Sequence, residues 1–418
     1  MTTGPASMTR RRFGQVVLAV TGAAGLGAAG LAEFRHWQAR QRYAAATRRD
    51  VTGANSLAAH AAVRGLAYGA AVDPAMLDVE GVEKGHKTDG YTQLVAAQTG
   101  ILVAGNAMKW DALRPSPDVF DFTEADRMMR FAKITGKQVR GHNLCWHQAL
   151  PGWFWRTANK DTARSLLTEH IRVVVGHFRG QIQSWDVVNE AIEEAVWNGE
   201  RRPDGLRMTP WLELIGPDYI ELAFRAAAEA DPHAKLTYND YEIETDRPEE
   251  THKRAQVLAL LQRLKARDVP IHAVGVQSHL RAASPKPGAG LQSFIREAAG
   301  MGLEVYVTEM DVNCGGVEGG VAERNEVVAG VFRDYLDLVL AEPNVPLVLT
   351  WGLTDAESWL KYGWLMDDWD KRSMWTKFNE SRHQRPLPFD GDFEPKPAFW
   401  ALRGALDGAP MRGQAVPA

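Results

Sequence analysis

Short apolar runs alternate with amphipathic segments along most of the chain. The first four runs are GLAYGAAV from Gly65, ILVAGNAM from Ile101, QVRGHNLCW from Gln138 and QSWDVVNE from Gln183. Four more follow, namely KLTYND from Lys235, AVGVQSHL from Ala273, EVYVTEMDV from Glu304 and LVLTWGLTD from Leu347. Because these runs are short and rich in β-branched and aromatic residues, they predict buried strands.

The segments between the runs have the spacing of helices. Residues 162–178 are amphipathic, and residues 254–267 place four apolar side chains on one helical face: Val257, Leu258, Leu261 and Leu264. Strand–helix alternation repeated about eight times predicts parallel strands joined by crossover helices. The sequence therefore predicts an α/β fold, a closed (β/α)8 TIM barrel in a single domain.

Nearly every predicted strand becomes polar or aromatic at its carboxyl end. The residues at these ends are Asn106, Lys109, His142, His147, Asn189, Glu190, Asn239, Asp240, Gln277, His279, Glu309, Asp311, Trp351 and Asp355. A single polar strand end is most often a helix cap or a solvated loop. In a barrel, however, the carboxyl ends converge on one face, where active sites are built. Seven such ends together indicate a functional face.

Two of these residues, Glu190 and Glu309, are carboxylates that the barrel would bring to opposite sides of one mouth. Facing carboxylates without metal ligands are typical of glycoside hydrolysis, and their separation decides between retention and inversion. Asp311 lies two residues after Glu309, and Gln277 and His279 are two apart on the neighbouring strand. A row of Glu309, His279 and Asp311 would keep Glu309 ionised. We therefore expect Glu309 as the nucleophile and Glu190 as the acid/base.

Eight stretches resemble those of family-10 glycoside hydrolases, the endo-1,4-β-xylanases. They follow the family order over roughly residues 65–402, and they are NAMKWDALRP from Asn106, RGHNLCWHQALPGW from Arg140, WDVVNEA from Trp185, YNDYE from Tyr238, GVQSHL from Gly275, VTEMDV from Val307, TWGLTDAESW from Thr350 and EPKPAFWAL from Glu394. The resemblance implies a barrel enzyme that hydrolyses internal β-1,4-xylosidic bonds of xylan by a retaining double displacement.

The resemblance also implies a role for each site residue. It gives Glu190 as acid/base and Glu309 as nucleophile, with His279 and Asp311 orienting the nucleophile. The substrate-binding residues that it implies are Asn106, Lys109, His142, Trp146, Asn189, Tyr241, Gln277, His279, Trp351 and Trp359. Of these, Asn189 would bind the 2-hydroxyl of the sugar being cleaved. Trp351 would form the floor of the cleavage subsite, and Trp359 would lie over it and disfavour the hydroxymethyl arm of glucose.

Two positions depart from the family pattern. Gly105 stands where the family usually has a glutamate, and Ala149 stands where it often has a glutamine. Both missing side chains would contact sugar on the non-reducing side. We therefore expect this chain to bind the distal sugar more weakly than family members that keep both residues.

The N-terminal residues differ in composition from the rest of the chain. The stretch TRRRF from Thr9 leads into residues 13–32, which carry no charge and include five glycines. A basic start before a weakly apolar run predicts a twin-arginine-type export signal and spacer over 1–45, and a periplasmic or secreted protein. A retained membrane anchor is the alternative. The catalytic barrel is then expected over 46–410, with a tail over 411–418.

Charge and residue types narrow the partners. The chain has a net charge of −4, and the residues after 50 include 40 basic and 50 acidic side chains. An acidic body favours a neutral substrate over a polyanion, so no nucleic acid is expected as a partner. No obligate protein partner is evident in the sequence, and a monomer is expected. The two cysteines, Cys145 and Cys314, allow at most one disulfide. No cofactor is expected either.

Three other functions share parts of this pattern. A metal-dependent barrel hydrolase would need a ligand shell, but His142 and His147 are five residues apart and no acidic or histidine cluster completes one. A sugar-binding protein without catalysis would share the barrel, although every expected catalytic residue type is present. A retaining glycosidase that acts on cellulose would use the same carboxylates, and rates on aryl xylobioside and aryl cellobioside would distinguish it.

Overall fold

The computed structural model describes residues 50–193, 202–362 and 384–413. The expected export signal over 1–45 and residues 414–418 of the expected tail lie outside these ranges. The described residues from Val51 onward belong to one compact unit. Among the helices of the described ranges, none is both long and apolar enough to cross a bilayer.

Eight strands form a closed parallel barrel. They are β1 Ala67–Val72, β2 Ile101–Ala104, β3 Gln138–Cys145, β4 Ser184–Asn189, β5 Lys235–Asp240, β6 Ala273–Val276, β7 Glu304–Asn313 and β8 Leu347–Thr350. Each strand pairs in parallel with the next, and β8 pairs back onto β1 with Leu347 beside Ala67. These strands coincide with the eight apolar runs, with β7 extending one residue beyond its run, so the predicted (β/α)8 barrel is confirmed.

Helices connect the strands and surround the barrel. The described α-helices are α1 Leu57–Val63, α2 Val79–Glu83, α3 Gly90–Gln98, α4 Trp110–Leu113, α5 Thr123–Thr135, α6 Phe154–Thr157, α7 Ala163–His177, α8 Pro210–Ile215, α9 Tyr219–Ala230, α10 Pro248–Ala266, α11 Ala289–Gly300, α12 Val321–Leu340 and α13 Pro397–Gly408. Short 3-10 helices occupy Gly53–Asn55, Pro74–Met76, Asp355–Glu357 and Trp359–Tyr362.

Two helices were predicted individually, and their bounds were predicted with different accuracy. Helix α7 occupies the predicted segment 162–178 to within one residue at each end. Helix α10 begins at Pro248, six residues before the predicted start, because its first turns are polar and show no apolar spacing. Proline suits the first helical position, where no amide donor is needed. Leu260, rather than the expected Leu258, is buried with the rest of the apolar face.

The barrel interior is apolar near its amino end and polar near its carboxyl end. A cluster of buried side chains fills the amino end: Ile101, Val103, Ala273, Tyr306, Leu347 and Leu349. Above it, the buried guanidinium of Arg140 donates two hydrogen bonds to the buried carboxylate of Asp186. A larger apolar cluster packs the helices against the outside of the barrel. The carboxyl end is therefore the part of the barrel interior that carries polar side chains suited to an active site.

Strand β6 is interrupted where the sequence suggested a continuous strand. It ends at Val276, and a three-residue strand, His279–Arg281, pairs with the end of β7 and places His279 beside Asp311. Between them Ser278 has a φ of 65°, in the left-handed region that few residues other than glycine adopt. The two-residue period of a regular strand would place Gln277 and His279 on the same face. Because of the break, the two side chains contact different glutamates.

The last described residues pack against the segment that precedes β1, at the amino face of the barrel. Arg412, expected in the tail, is buried with 7% of its surface exposed. Its guanidinium donates to the carbonyls of Leu340 at 2.8 Å and Val345 at 3.2 Å. Its main-chain amide donates to the carbonyl of Arg64 at 2.8 Å. Arg412 therefore belongs to the packed fold. The cysteines Cys145 and Cys314 are both buried and are not joined to each other in a disulfide.

Candidate active site

Two glutamates lie at the carboxyl end of the barrel. Glu190 directly follows β4, with a φ of 57°, and Glu309 lies within β7. Both are nearly buried, with 8% and 5% of their surfaces exposed. The positive φ of Glu190 ends the strand and is held by a hydrogen bond from its amide to the carbonyl of Asn239, 2.8 Å long. The strand ends thus bring both carboxylates to one mouth.

Glu309 is surrounded by groups that favour its ionised form. Its Oε1 accepts a hydrogen bond from Nδ2 of Asn239 at 2.8 Å, and its Oε2 lies 3.3 Å from Nε2 of His279. Nδ1 of His142 lies 3.9 Å from Oε1. Burial alone would raise the pKa of Glu309, but the charge of His142 and the bond and charge of His279 lower that pKa to about 2. Glu309 is therefore a carboxylate at neutral pH.

A row of side chains anchors His279 from behind. Nδ1 of His279 lies 3.0 Å from Oδ1 of Asp311, and Nε1 of Trp359 donates to Oδ2 of the same carboxylate at 2.6 Å. Burial opposes the charged imidazole, yet the contact with Asp311 and the neighbouring Glu309 raises the pKa of His279 well above its usual value. The imidazole is thus fixed in place and supplies positive charge to Glu309.

Glu190 has a different set of partners. Its Oε1 accepts hydrogen bonds from Nδ2 of Asn189 at 3.0 Å and Nε2 of Gln277 at 2.9 Å. Its Oε2 accepts one from Nε1 of Trp146 at 2.8 Å. All three donors are neutral, whereas Glu309 contacts an imidazole that favours the charged state. The two carboxylates therefore differ in their electrostatic surroundings.

A path of hydrogen-bonded amides joins the two carboxylates. Nδ2 of Asn239 donates to Glu309 and also to Oδ1 of Asn189 at 2.9 Å, while Nδ2 of Asn189 donates to Glu190. Asn189 is the last residue of β4, and it pairs in register with Asn239, the residue before the last of β5. This bridge fixes the orientation of each carboxylate relative to the other.

Lys109 and Trp146 border the mouth near Glu190. Nζ of Lys109 lies 2.9 Å from Oδ1 of Asn106 and 5.0 Å from the centre of the Trp146 ring, a cation–π contact. Burial lowers the pKa of Lys109, while the charges of Glu309 and Glu190 oppose that shift. Lys109 is thus close enough to both carboxylates for their charges to affect its pKa.

Two tryptophans flank the imidazole pair. The Trp351 ring meets the rings of His142 and His279 edge-on, with centroids 5.3 Å and 6.3 Å away. The Trp359 ring lies 5.1 Å from His279. Both indoles are only partly buried. Their accessible faces beside Glu309 suit the apolar faces of a sugar ring.

Tyr241 lies beside the backbone support of Glu190. Its hydroxyl accepts a hydrogen bond from Nη2 of Arg207 at 2.8 Å, and Nζ of Lys253 lies 3.9 Å from its ring centre. Burial raises the pKa of Tyr241 to about 12, despite these cations. Nε of Arg207 donates to the carbonyl of Glu190 at 2.9 Å. Tyr241 is therefore connected to Glu190 through Arg207.

Sequence reasoning left three residues out of the site. Asn239 was noted only as a polar strand end, Asp186 binds Nδ1 of His142 at 2.9 Å, and Arg207 supports Glu190 from a separate loop. Asp186 could have been found from the sequence, because it is an acidic residue inside the otherwise apolar run WDVV. No local pattern marks Arg207. Among the described residues, no group of three or more His, Cys, Asp or Glu side chains is arranged to hold a metal ion.

Comparison with known proteins gives a consistent result. The family model described as glycosyl hydrolase family 10 matches residues 56–405. A beta-1,4-xylanase of Dictyoglomus thermophilum is 35% identical over 320 residues, covering 75% of this chain and 83% of that protein. Exoglucanase XynX of Acetivibrio thermocellus is 34% identical over 374 residues, covering 83% of this chain but only 30% of that protein.

Solved structures share the fold as well. The crystal structure of xylanase 10B from Thermotoga petrophila RKU-1 in complex with xylobiose is 30% identical in sequence, with a TM-score of 0.71. The match covers 84% of this chain and 97% of that one. The family model, the relatives and the barrel agree with the resemblance read from the motifs. The chain is a glycoside hydrolase and belongs to glycosyl hydrolase family 10.

Proposed function

We propose that this enzyme hydrolyses internal β-1,4-xylosidic bonds of xylan and xylo-oligosaccharides with retention of anomeric configuration. The named relatives include a beta-1,4-xylanase, and a structural relative was solved with xylobiose. The observation that carries the proposal is the contact of Glu309 with His279, itself anchored by Asp311, across the mouth from Glu190.

In the first step Glu309 attacks the anomeric carbon of the sugar. The bond from that carbon to the leaving oxygen breaks, Glu190 gives its proton to that oxygen, and an ester joins Glu309 to the sugar. In the second step Glu190 takes a proton from water, and the hydroxyl attacks the same carbon and releases Glu309. The two inversions sum to retention.

The surroundings of the two glutamates support this division of roles. A nucleophile must be ionised, and the pKa of Glu309 is held at about 2. A proton donor must tolerate the neutral form, and Glu190 is bound only through neutral donors among its described carboxylate contacts. Environments that separate two carboxylates in this way assign acid and nucleophile in glycosidases.

Replacing the nucleophile tests the assignment of Glu309. The variant Glu309→Ala should lose turnover on xylan because no covalent intermediate can form. Added azide should then restore part of the activity on an activated aryl xylobioside and give the glycosyl azide of inverted configuration, observed by NMR. Azide rescue with retained configuration would contradict the assignment.

Replacing the proton donor tests Glu190 separately. The variant Glu190→Ala should keep activity on aryl xylosides whose leaving groups need no proton, and lose activity on xylan. Here azide should yield a product of retained configuration, since it attacks the intermediate on Glu309. Equal losses on both kinds of substrate would show that Glu190 is not the proton donor.

Substrate choice needs its own measurement, because one relative is named an exoglucanase. Rates on aryl xylobioside and aryl cellobioside are expected to favour the xylose substrate. Products released from glucuronoarabinoxylan should be mixed oligosaccharides whose new reducing ends appear first as the β-anomer by NMR. A preference for aryl cellobioside would contradict the proposed substrate. Release of a single short product from chain ends would contradict internal cleavage.

A further inference from the structure

The residues that contact the two proposed catalytic carboxylates lie on either side of one turn. Gln277 donates to Glu190, and His279 contacts Glu309, with Ser278 between them. A left-handed residue other than glycine persists only where its surroundings hold it. The geometry of Ser278 therefore sets the positions of both partners at once.

Three contacts hold this turn. The hydroxyl of Ser278 lies 2.6 Å from the hydroxyl of Tyr335 and donates to the carbonyl of Val276 at 3.0 Å. The amide of Ser278 donates to Oε1 of Glu244 at 2.9 Å. Glu244 comes from the loop after β5 and is 4% exposed. The mechanism proposed above does not use it.

Glu244 is itself fixed on a clamped loop. Its Oε2 accepts the amide of Ile243 at 2.8 Å. Arg254 of helix α10 donates to the carbonyls of Ile243, at 3.2 Å, and Thr245. The carboxylate therefore reaches the β6 turn from a rigid neighbour, rather than from a solvated loop.

We propose that Glu244 is a positioning residue of the active site, whose carboxylate holds the Ser278 turn and thereby keeps Gln277 on Glu190 and His279 on Glu309. The inference rests on the proposed function of those two glutamates. Since the turn carries a partner for each carboxylate, Glu244 supports both the nucleophile and the acid/base.

The ionisation of Glu244 does not add to this effect at acidic pH. Burial, followed by the charge of Glu250, raises the pKa of Glu244 to about 7, against the amides of Ser278 and Ile243 and the charge of His279. The titratable groups that face it are Glu250, His279 and Tyr335. Since Glu244 is protonated well below pH 7, it supports the turn there as a hydrogen-bond acceptor and not through its charge.

Three variants of the full chain test the proposal. In Glu244→Leu the turn loses its acceptor, and kcat should fall about 10- to 100-fold on both xylan and activated aryl xylobioside. Glu244→Gln keeps one acceptor oxygen, so its loss of kcat should be smaller. The activity that Glu244→Gln retains relative to Glu244→Leu measures the hydrogen bond to the amide of Ser278. The matched control is Glu250→Gln, which alters the neighbouring buried carboxylate and leaves the Ser278 contact intact.

The control variant should keep the parent kcat. If Glu244→Leu fails to fold by circular dichroism, Glu244→Gln still decides the matter, because its kcat should lie below that of the parent and the kcat of Glu250→Gln should not. The proposal is overturned if the folded Glu244 variants keep the parent kcat, or if Glu250→Gln reproduces their loss. An inactive parent enzyme would refute the proposed function instead, and that outcome is visible before any variant is made.

Discussion

Glu190 and Glu309 carry the same functional group, and their immediate neighbours make them chemically different. Glu309 contacts the anchored imidazole of His279, whereas the carboxylate of Glu190 receives only neutral donors among its described contacts. Two-residue spacing within TEMDV was enough to predict the row of His279 and Asp311. The contact of Gln277 with Glu190 depends on the turn at Ser278, which an alternating pattern does not reveal.

The ionisation of Glu309 gives a pH prediction. In His279→Asn the cation that lowers the pKa of Glu309 is lost, so this pKa rises towards its ordinary value. Since the proposed nucleophile must be ionised, the acidic limb of kcat/KM should move to higher pH. His177→Asn, at an exposed surface pair with Asp126, should leave the limb unchanged. An unmoved limb in the His279 variant would show that other groups hold Glu309 ionised.

Gly105 offers a test of the expectation that the distal sugar is bound weakly. A Cβ at this position would meet only the carbonyl oxygen of Val72, at 3.6 Å, which is an ordinary contact. Gly105→Glu should therefore fold normally and add a polar contact to the distal sugar. One such hydrogen bond is worth about 0.5–1.5 kcal/mol, so calorimetry should show roughly 2- to 10-fold tighter binding of short xylo-oligosaccharides. Unchanged or weaker binding would contradict the expectation from the family pattern.

At the level of helices and strands, the eight barrel strands were readable because parallel strands are buried on both faces and appear as short continuous apolar runs. Helix ends were harder to place. The polar first turns of α10 carry no apolar spacing, so its start at Pro248 was missed. The contacts that Arg207 and Glu244 make could not be predicted from the sequence either, since each residue binds a residue that is distant along the chain.

The pairing of β3 with β4 depends on a glycine. Gly141 lies beside Trp185 in register, and a Cβ there would come within 2.1 Å of the buried indole. Gly141→Ala should destabilise the protein by about 1–3 kcal/mol, measured by chemical denaturation, because an overpacked core must shift. The control is Gly404→Ala in helix α13, where nothing lies within 4 Å and a gain of about 0.5–1 kcal/mol is expected. Equal effects of the two substitutions would show that the indole yields easily.

For the molecule as a whole, stability and chemistry occupy opposite ends of the barrel. The apolar cluster and the buried Arg412 lie towards the amino ends of the strands, while the carboxylates lie at the carboxyl ends. Changes at the amino face should therefore alter unfolding without altering turnover.

Arg412 tests that separation. Arg412→Met leaves the carbonyls of Leu340 and Val345 without this donor, which should cost about 1–3 kcal/mol in chemical denaturation. The kcat of the folded variant should match that of the parent enzyme. Arg172→Met is the control, because its surface pair with Glu229 is exposed and contributes about 0–1 kcal/mol. A lower kcat in the Arg412 variant would show that the two faces are coupled.

The bond between the amide of Arg412 and the carbonyl of Arg64 places the segment after α13 beside the segment before β1. Domains whose first and last segments are adjacent tolerate circular permutation. A linker from Gly413, long enough to return along α13 to Val51, could join these segments, and the exposed turn at Gly302, also on the amino face, could supply new termini. Every strand would keep its neighbours in such a permuted chain, so the order of elements along the chain could be rewritten while the carboxylate pair stays in place.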